Sequence, residues 1–337
     1  MIKQNIIVIL TILLCMGCNS AQNSKDAESL QKARLCLYNG EASTLFFIAE
    51  QQGFFLKHGI DAEIALYPTG RDAINAMLNG DGHFSVSTEF VVVKKTFSRT
   101  DFKILASVTD ADINNASTKI SSGVFAKKSS GISKPSDLKG KNIATNIDTI
   151  TEFLCGVFLE QNGMAYTDAN VLNIAPNERI NFVNNPDFDA FFVWETSIFN
   201  IFKPQTDKLN YFPMPSSMPF HFILVVDEKY HRENPEVSVK ILKSLYDAEE
   251  WAQNNYEELK QLVKERFNLS DDYAVNALKR HKLIINFPYT LPRAMENQIT
   301  WLSRYKHYGA DEIINFSTLF DTAPLKRVKP SSVTIIE

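Results

Sequence analysis

The chain has 337 residues, with 35 Lys plus Arg against 39 Asp plus Glu, a formal charge of −4 and 45% hydrophobic residues. This composition excludes intrinsic disorder, collagen-like repeats and a disulfide-stapled miniprotein. The length predicts two domains, and slight acidity without a long basic run argues against a nucleic-acid-binding surface.

The first 17 residues have the pattern of an export signal. Lys3 precedes the apolar run from Ile6 to Leu14, which is too short for a transmembrane helix, and Gly17 stands before Cys18. The segment resembles a bacterial lipoprotein signal, although Cys15 stands where that motif usually has Leu. The resemblance implies an acyl lipid such as palmitate on Cys18, which would anchor the chain in a lipid bilayer, facing the periplasm or the extracellular side. The alternative is an ordinary signal peptide that is cleaved nearby.

Residues 18–33 are polar and lack an apolar period, so we predict a flexible tether between the anchor and a folded body. Beyond Cys18 the chain has two cysteines, Cys36 in a predicted strand and Cys155 in a predicted helix. We predict two buried thiols there rather than a disulfide.

From Arg34 onward, short apolar runs alternate with segments of helical period. The first series predicts strands at 34–38, 62–67, 84–87 and 103–108, with helices at 43–52, 71–79 and 89–97. A second series predicts strands at 123–126, 142–145, 171–174 and 190–194, with helices at 135–138, 151–162, 179–184 and 197–202. Each series predicts a mostly parallel sheet with helices on both faces.

After a predicted strand at 221–226 the pattern changes to helices alone. These are predicted at 235–254, 256–267, 271–283 and 292–307, and we expect them to pack on the first lobe. The chain is expected to cross between lobes near 109–119 and to return through the proline-rich segment 213–219. Two lobes joined by two crossings predict a hinged cleft. The predicted organisation is a signal peptide (1–17), a tether (18–33), the first part of lobe 1 (34–115), lobe 2 (116–218) and a return to lobe 1 with the C-terminal helices (219–337).

Four segments carry a family resemblance when taken in order. They read FFIAEQQGFF at 46–55, GIDAE at 59–63, SDLKGKNIA at 136–144 and DAFFVWE at 189–195. Together they resemble the solute-binding proteins for nitrate, sulfonate, taurine and thiamine-pyrimidine uptake, over about residues 34–225. The resemblance implies the two-lobed, type II periplasmic-binding-protein fold, a small-molecule solute as ligand, and an ABC permease and ATPase as partners. We expect a monomer.

Two departures from the family pattern concern the expected pocket. The chain has His83-Phe84-Ser85 where the family has Asp-hydrophobic-Ala, and Trp194-Glu195-Thr196 where it has Trp-Glu-Pro. A specific ligand is therefore not carried over. Two other functions stay open on this fold: a ligand-sensing lipoprotein without a transport role, and a thiamine-pyrimidine synthase. The synthase is marked by a cysteine-rich run that this chain lacks.

Candidate ligand contacts follow from the rule that open α/β sheets bind ligands beyond the carboxyl ends of their strands. The strand ends nominate Tyr38, Asn39, Gly70, Arg71, Ser87, Thr88, Glu89, residues 146–151, Trp194 and Glu195. Ser43 and Thr44 open the first helix, and Thr149, Thr151 and Glu152 open the long helix of the second lobe. Helix capping is the alternative use of these hydroxyl groups.

The charge of the ligand is open at this point. Helix N-termini and Arg71 suit an anion such as a sulfonate or nitrate, whereas Glu89 and Glu195 suit an amine or a protonated ring nitrogen. Tyr38 and Trp194 are suited to stacking on a flat ring. We favour an amine-bearing or heteroaromatic solute, with the two glutamates facing each other across the cleft.

No catalytic residue, cofactor or metal is predicted. His-Glu-x-x-His, Gly-x-Ser-x-Gly, Walker and Cys-x-x-Cys patterns are absent from the sequence. The histidines are scattered, and we interpret those beside predicted strands as core or surface residues rather than metal ligands. The six are His58, His83, His221, His231, His281 and His307.

Overall fold

The computed structural model describes residues 30–112, 122–216, 218–306 and 315–335. The predicted signal segment, with Cys18, most of the tether and His307 lie outside the described residues. The described part of the tether differs from the prediction, because the first strand already begins at Gln31.

The predicted alternation of strands and helices is confirmed. The strands are β1 (Gln31–Tyr38), β2 (Ile60–Tyr67), β3 (Phe84–Thr88), β4 (Phe102–Asp112), β5 (Gly123–Lys127), β6 (Asn142–Thr145), β7 (Asn170–Asn173), β8 (Ala190–Val193), β9 (Leu209–Pro213), β10 (Pro219–Asp227) and β11 (His281–Asn286). The α-helices are α1 (Thr44–Gln51), α2 (Phe54–Lys57), α3 (Gly70–Leu78), α4 (Glu89–Thr96), α5 (Ile150–Gln161), α6 (Thr196–Phe202), α7 (Glu228–Glu233), α8 (Pro235–Asn254), α9 (Tyr256–Arg266), α10 (Asp271–Arg280), α11 (Thr290–Lys306) and α12 (Ala323–Val328). Short 3₁₀ turns occupy the predicted helices at 135–138 and 179–184.

The strands form two separate sheets. Sheet 1 has the order β11-β4-β10-β3-β1-β2, and sheet 2 has the order β7-β6-β8-β5-β9. The chain passes from sheet 1 to sheet 2 between β4 and β5, and returns between β9 and β10. Mixed α/β architecture with two sheets is therefore confirmed.

The prediction of mostly parallel sheets is wrong. The pairs β1–β2, β1–β3, β6–β7 and β6–β8 are parallel, but β10 runs antiparallel to β3 and β4, β11 to β4, and β5 to both β8 and β9. The reason is topological: β10 enters sheet 1 from the other sheet, so it runs against the strands that the first βα units laid down.

The prediction of helices alone after β10 is also wrong, because β11 pairs with the edge of β4. The predicted helix at 271–283 ends at Arg280, and the strand starts at the next residue without a Gly or Pro between them. β9 was likewise missed, since it is an edge strand whose last residue is Pro213.

The C-terminal helices pack mainly on sheet 1. α8 contacts α1, α2 and α12, and α11 contacts α4 and β10. α10 also touches α6 beside sheet 2, and Trp301 of α11 lies between Phe90 of α4 and Phe153 of α5. α11 therefore contacts helices that belong to both sheets.

Both described cysteines are free thiols, as predicted: Cys36 and Cys155 are buried. Burial raises the pKa of each thiol, so neither is a ready nucleophile. Among the helices that the structure describes, none is long and apolar enough to cross a membrane.

Candidate functional site

A small cavity of about 30 Å³ lies between the two sheets, and we call it the inner cavity. It sits at the carboxyl ends of β1, β2, β3, β6 and β8, where the sequence rule places a ligand. At this volume the cavity holds about two water molecules, so a larger ligand requires the two sides of the cavity to move apart. Its lining comes from both sides: Tyr38, Pro68, Thr69, Gly70, Thr88, Val91 and Phe222 beside sheet 1, and Asn146, Thr149, Ile150, Thr151, Trp194 and Glu195 beside sheet 2.

Three aromatic side chains form one wall of the inner cavity. The rings of Tyr38 and Phe222 are stacked, with centroids 6.1 Å apart and planes 6° apart. Trp194 contacts Phe222 with a centroid distance of 5.8 Å. Tyr38 lies against Gly40, where an added Cβ would be 2.2 Å from the tyrosine ring, so glycine is needed there for this ring position. This wall is suited to the face of a flat, apolar or heteroaromatic group.

Helix N-termini supply the polar part of the lining. Thr69 caps α3 and Thr149 caps α5, each accepting a hydrogen bond from a backbone N–H in the first helical turn. Thr88 precedes α4, and its buried hydroxyl has no hydrogen-bond partner although it lines the cavity. Free N–H groups and the helix dipole favour electron-rich atoms at such positions. The unpartnered hydroxyl of Thr88 is available to a ligand.

Glu195 brings a carboxylate to the cavity, directly before α6. It accepts a hydrogen bond from Arg179 at 2.6 Å, and both side chains are nearly buried, with 9% and 11% exposed. The ion pair offsets the negative charge in part and fixes the carboxylate position. Burial first, and then the charges of Glu195 and Glu41, raise the pKa of Tyr38 well above its usual value, so its phenol stays protonated.

A second layer of buried charge supports this wall. Arg280 at the end of α10 donates hydrogen bonds to the Trp194 carbonyl at 2.6 Å and to Ser122 at 3.0 Å. Glu41 is buried behind Tyr38, and burial raises the pKa of its carboxyl. Sequence reasoning missed both residues, because Glu41 lies just beyond the strand-end positions that were considered and Arg280 ends a helix that follows no parallel strand.

The structure brings together nine of the predicted contact residues in the lining of the inner cavity. These are Tyr38, Gly70, Thr88, Asn146, Thr149, Ile150, Thr151, Trp194 and Glu195. Gly70 is required for close packing, since a Cβ there would lie 2.6 Å from the Ser87 hydroxyl oxygen and 3.1 Å from the Ser87 Cα.

Five of the other predicted residues lie near the cavity without lining it. Asn39 is exposed beyond β1, and Ser87 is buried behind Gly70. Ser43 donates to the Tyr38 carbonyl at 2.7 Å and Thr44 to the Glu41 carbonyl at 2.6 Å, so neither hydroxyl caps a helix N-terminus. Arg71 points across to the second sheet, where it donates to the Ile147 carbonyl at 2.8 Å.

The two remaining carboxylates are structural in this arrangement. Glu89 does not face Glu195 across the cleft: its side chain accepts hydrogen bonds from the His221 backbone N–H at 2.9 Å and from Gln298 at 3.0 Å. Glu152 accepts from the Tyr166 hydroxyl at 2.8 Å and pairs with Lys306 at 2.5 Å. Long-range partners on β10 and α11 set the orientation of Glu89, and no local motif reveals it. Glu152 also accepts from the Asp148 N–H at 2.8 Å, so the capping spacing Thr149-x-x-Glu152 is a local signal for its position.

Four lining residues were outside the predicted set: Pro68, Thr69, Val91 and Phe222. Thr69 had a signal in the sequence, because Thr69 and Asp72 form the spacing of an N-terminal cap, and the structure shows Thr69 accepting from the Asp72 N–H. Phe222 had none, because strand pairing of β10 with β3 brings it to the cavity.

Among the described residues, no group of His, Cys, Asp and Glu side chains is arranged to hold a metal ion. His221 instead pairs with Asp110 at 2.7 Å, and His83 accepts from the Arg34 N–H at 3.1 Å. The cavity lining itself contains no His or Cys side chain.

Comparisons with known proteins agree with this geometry. Residues 41–259 match the sequence profile of the family described as NMT1/THI5 like. The formylaminopyrimidine-binding protein of Halalkalibacterium halodurans is 20% identical over 256 residues, which are 74% of this chain and 75% of that protein.

Two solved structures show the same fold. The alkanesulfonate-binding protein SsuA from Xanthomonas axonopodis pv. citri, bound to MOPS, has a TM-score of 0.71 at 12% identity, covering 88% of this chain and 100% of that one. The desulfurization enzyme DSZB has a TM-score of 0.64 at 12% identity, covering 89% of this chain and 99% of that one.

Proposed function

Because the chain belongs to the NMT1/THI5-like family, we propose that it is the extracytoplasmic solute-binding component of an ABC importer. The observation that carries the proposal is the inner cavity, to which both sheets contribute aromatic rings and helix N-termini. Binding proteins that deliver a solute to a permease need a site of this kind, which opens and closes as two lobes move. The permease and ATPase are the partners that this function requires.

The hinge follows from the two crossings. We propose that the protein has a hinge where the chain crosses between a first lobe built on sheet 1 and a second lobe built on sheet 2. An open form exposes each half of the lining to water. A ligand that contacts both halves then stabilises the closed form, because it has a higher affinity for that form.

The lining favours a flat, hydrogen-bond-donating solute. Tyr38, Trp194 and Phe222 suit a ring, and Glu195 is a hydrogen-bond acceptor for an amine or a ring N–H. The threonine hydroxyls and helix N-termini accommodate acceptor atoms on the same ring.

Calorimetric titration with a panel of solutes tests the proposal. The panel contains aminopyrimidines, riboflavin, polyamines, taurine, alkylsulfonates and nitrate, and we expect an aminopyrimidine to bind. Replacing Glu195→Gln is expected to weaken that binding about 10- to 100-fold, the equivalent of one charge-assisted hydrogen bond. Because Trp194 lines the cavity, the same titration followed by tryptophan fluorescence should show a change on binding.

Two further variants test the role of the Glu195 charge: one removes its ion-pair partner, and the other is a control away from the cavity. Arg179→Gln removes the cation that pairs with Glu195 and should strengthen the binding of a cationic amine. Glu63→Gln removes an exposed carboxylate in the middle of β2, where it pairs with Arg34 away from the cavity lining, and should leave affinity unchanged. Preferred binding of a sulfonate that Glu195→Gln strengthens would contradict the amine or heteroaromatic assignment.

We also propose that a lipid on Cys18 anchors the protein to a membrane, on the basis of the signal-like segment before it. The wild-type protein should then fractionate with membranes and dissolve only in detergent. Cys18→Ser is expected to abolish lipidation, which mass spectrometry of the N-terminal peptide measures directly. An unmodified cysteine in the wild-type peptide would favour ordinary signal cleavage.

A further inference from the structure

A second cavity of about 300 Å³ adjoins the inner cavity, and we call it the outer cavity. The two cavities share Val91 in their linings. Residues that are neighbours in the sequence line different cavities. Gly70 and Thr149 line the inner cavity, whereas Arg71 and Asp148 line the outer one. The two cavities therefore adjoin each other at Val91 and at the starts of α3 and α5.

The outer cavity is cationic. Arg71 on α3 and Lys94 and Lys95 on α4 line it, against a single carboxylate in the lining, Asp148. Lys94 pairs with Asp148, and Arg71 pairs at 3.2 Å with Asp72, which lies beside the cavity. No carboxylate within the described ranges pairs with Lys95. Three cations and two carboxylates leave an excess positive charge at this site.

Like charges are crowded into this partly buried space. The side chains of Lys94 and Arg71 are 16% and 25% exposed. Burial is the main cause that lowers the pKa of Lys94 to about 8; Lys306, Lys95 and Arg71 lower it further, and Glu152 opposes them. Burial also lowers the pKa of Lys95, as do the charges of Arg71 and Arg99. A bound anion would relieve this repulsion.

We propose that the outer cavity binds the anionic substituent, a carboxylate, sulfonate or phosphate group, of a solute whose ring occupies the inner cavity. The inference rests on the proposed function for the identity of the bound molecule, but the anion site itself depends only on the cations of α3 and α4. Arg71 offers a planar guanidinium and the lysines offer point charges, which are the usual partners of such oxyanions.

Inorganic phosphate probes the anion site without any ring. The full-length protein in detergent is titrated with phosphate at constant ionic strength, and its melting temperature is recorded. We expect a saturable rise in melting temperature that Lys95→Gln reduces at least by half. Lys243→Gln, an equal change of charge on an exposed residue of α8, should behave as wild type. A phosphate response that is the same in all three proteins would overturn the inference.

Asp148→Asn tests the anion site in the opposite direction, because it should strengthen phosphate binding rather than weaken it. Asp148 has a φ of 66°, a left-handed conformation that Asn tolerates well, so the fold should be preserved. The change removes the carboxylate that pairs with Lys94, and we expect phosphate affinity to rise at least threefold. A loss of phosphate affinity would contradict an anion site at these cations.

The last measurement connects the two cavities. An aminopyrimidine methanol and its phosphate and sulfate monoesters are titrated calorimetrically into wild type and Lys95→Gln. We expect the esters to bind at least tenfold more tightly than the alcohol in wild type, and this advantage to shrink at least fivefold in the variant. If free phosphate binds in a Lys95-dependent manner but no ring compound binds, the anion site stands and the ring assignment fails. If the alcohol binds and the esters gain nothing, the proposed function stands and this inference fails.

Discussion

Replacing Trp301→Ala is expected to lower the free energy of unfolding by about 3 to 5 kcal/mol, the usual range for truncating a buried tryptophan. Trp301 is 4% exposed, and its ring lies 5.0 Å from that of Tyr166, 5.5 Å from Phe153 and 6.0 Å from Phe90, measured between centroids. The side chain also covers Gly156 of α5, where an added Cβ would lie 2.5 Å from the indole. Denaturation in urea, followed by circular dichroism, measures the loss.

Trp251 provides the matched control for that experiment. It lies on α8, is only partly buried, and contacts the main core from its edge. Trp251→Ala should therefore cost clearly less than Trp301→Ala. Equal losses of unfolding free energy in the two variants would show that the contact of α11 with α4 and α5 contributes no more to stability than the partly buried contact of Trp251.

The Glu89→Gln substitution is expected to make the free energy of unfolding less dependent on pH. Glu89 is fully buried, and burial raises the pKa of its carboxyl to about 7 from 4.5. Between pH 4.5 and about 7 the unfolded chain has released this proton while the folded chain retains it. The free energy of unfolding of the wild type therefore falls as pH rises, by about 3 kcal/mol in total at about 1.4 kcal/mol per pKa unit.

The glutamine variant keeps both hydrogen-bond partners of Glu89 while it lacks the charge, with the Gln298 amide turned over so that the second bond runs in the opposite direction. Its carbonyl oxygen accepts from the His221 N–H, and its amide N–H can donate to the carbonyl oxygen of Gln298, which is buried without a partner. We expect the variant to be more stable than wild type at pH 8 and similar to it at pH 4.5. Although burial opposes the change, the hydrogen bond to Asp110 and the charge of Glu89 raise the pKa of His221. The variant keeps the Asp110 share of this contribution, which is lost as pH rises through the pKa of His221, and loses the Glu89 share.

Thermal denaturation at several pH values between 4.5 and 8 measures this effect. Glu50→Gln on α1, an exposed position, serves as the control and should reproduce the wild-type profile. A Glu89→Gln profile parallel to that of wild type would mean that Glu89 is ionised in the folded protein throughout this range.

Local signals predicted most of the fold. The helix predicted at 235–254 has those bounds in α8, because Pro235 favours the first helical turn and the apolar period continues for five turns. β9 and β11 were missed for a common reason. Both are edge strands with only one neighbour in their sheet, so their partly exposed residues do not form a clear apolar run.

The candidate site could be predicted only where its residues lie at the carboxyl ends of strands that follow one another in the sequence. Tyr38 ends β1, Thr88 ends β3 and Trp194 follows β8. The rule that ligands bind beyond the carboxyl ends of strands therefore places all three residues at the inner cavity. Phe222 and Glu89 depend on tertiary pairing. The antiparallel entry of β10 brings the first to the cavity, and partners on β10 and α11 turn the second away from it.

The direction of β1 determines which end of the protein is attached to a biosensor chip when it is captured through its N-terminal residues. The strand begins at Gln31, beside Gly59, and ends at Tyr38 in the inner cavity, a span of about 23 Å at the usual rise per residue. A protein captured on a biosensor chip through the residues that precede Gln31 is thus held at the edge of sheet 1 opposite the cavity. Solute can then exchange from the bulk flow without passing the chip surface, and the first sheet is held while the second remains free to move.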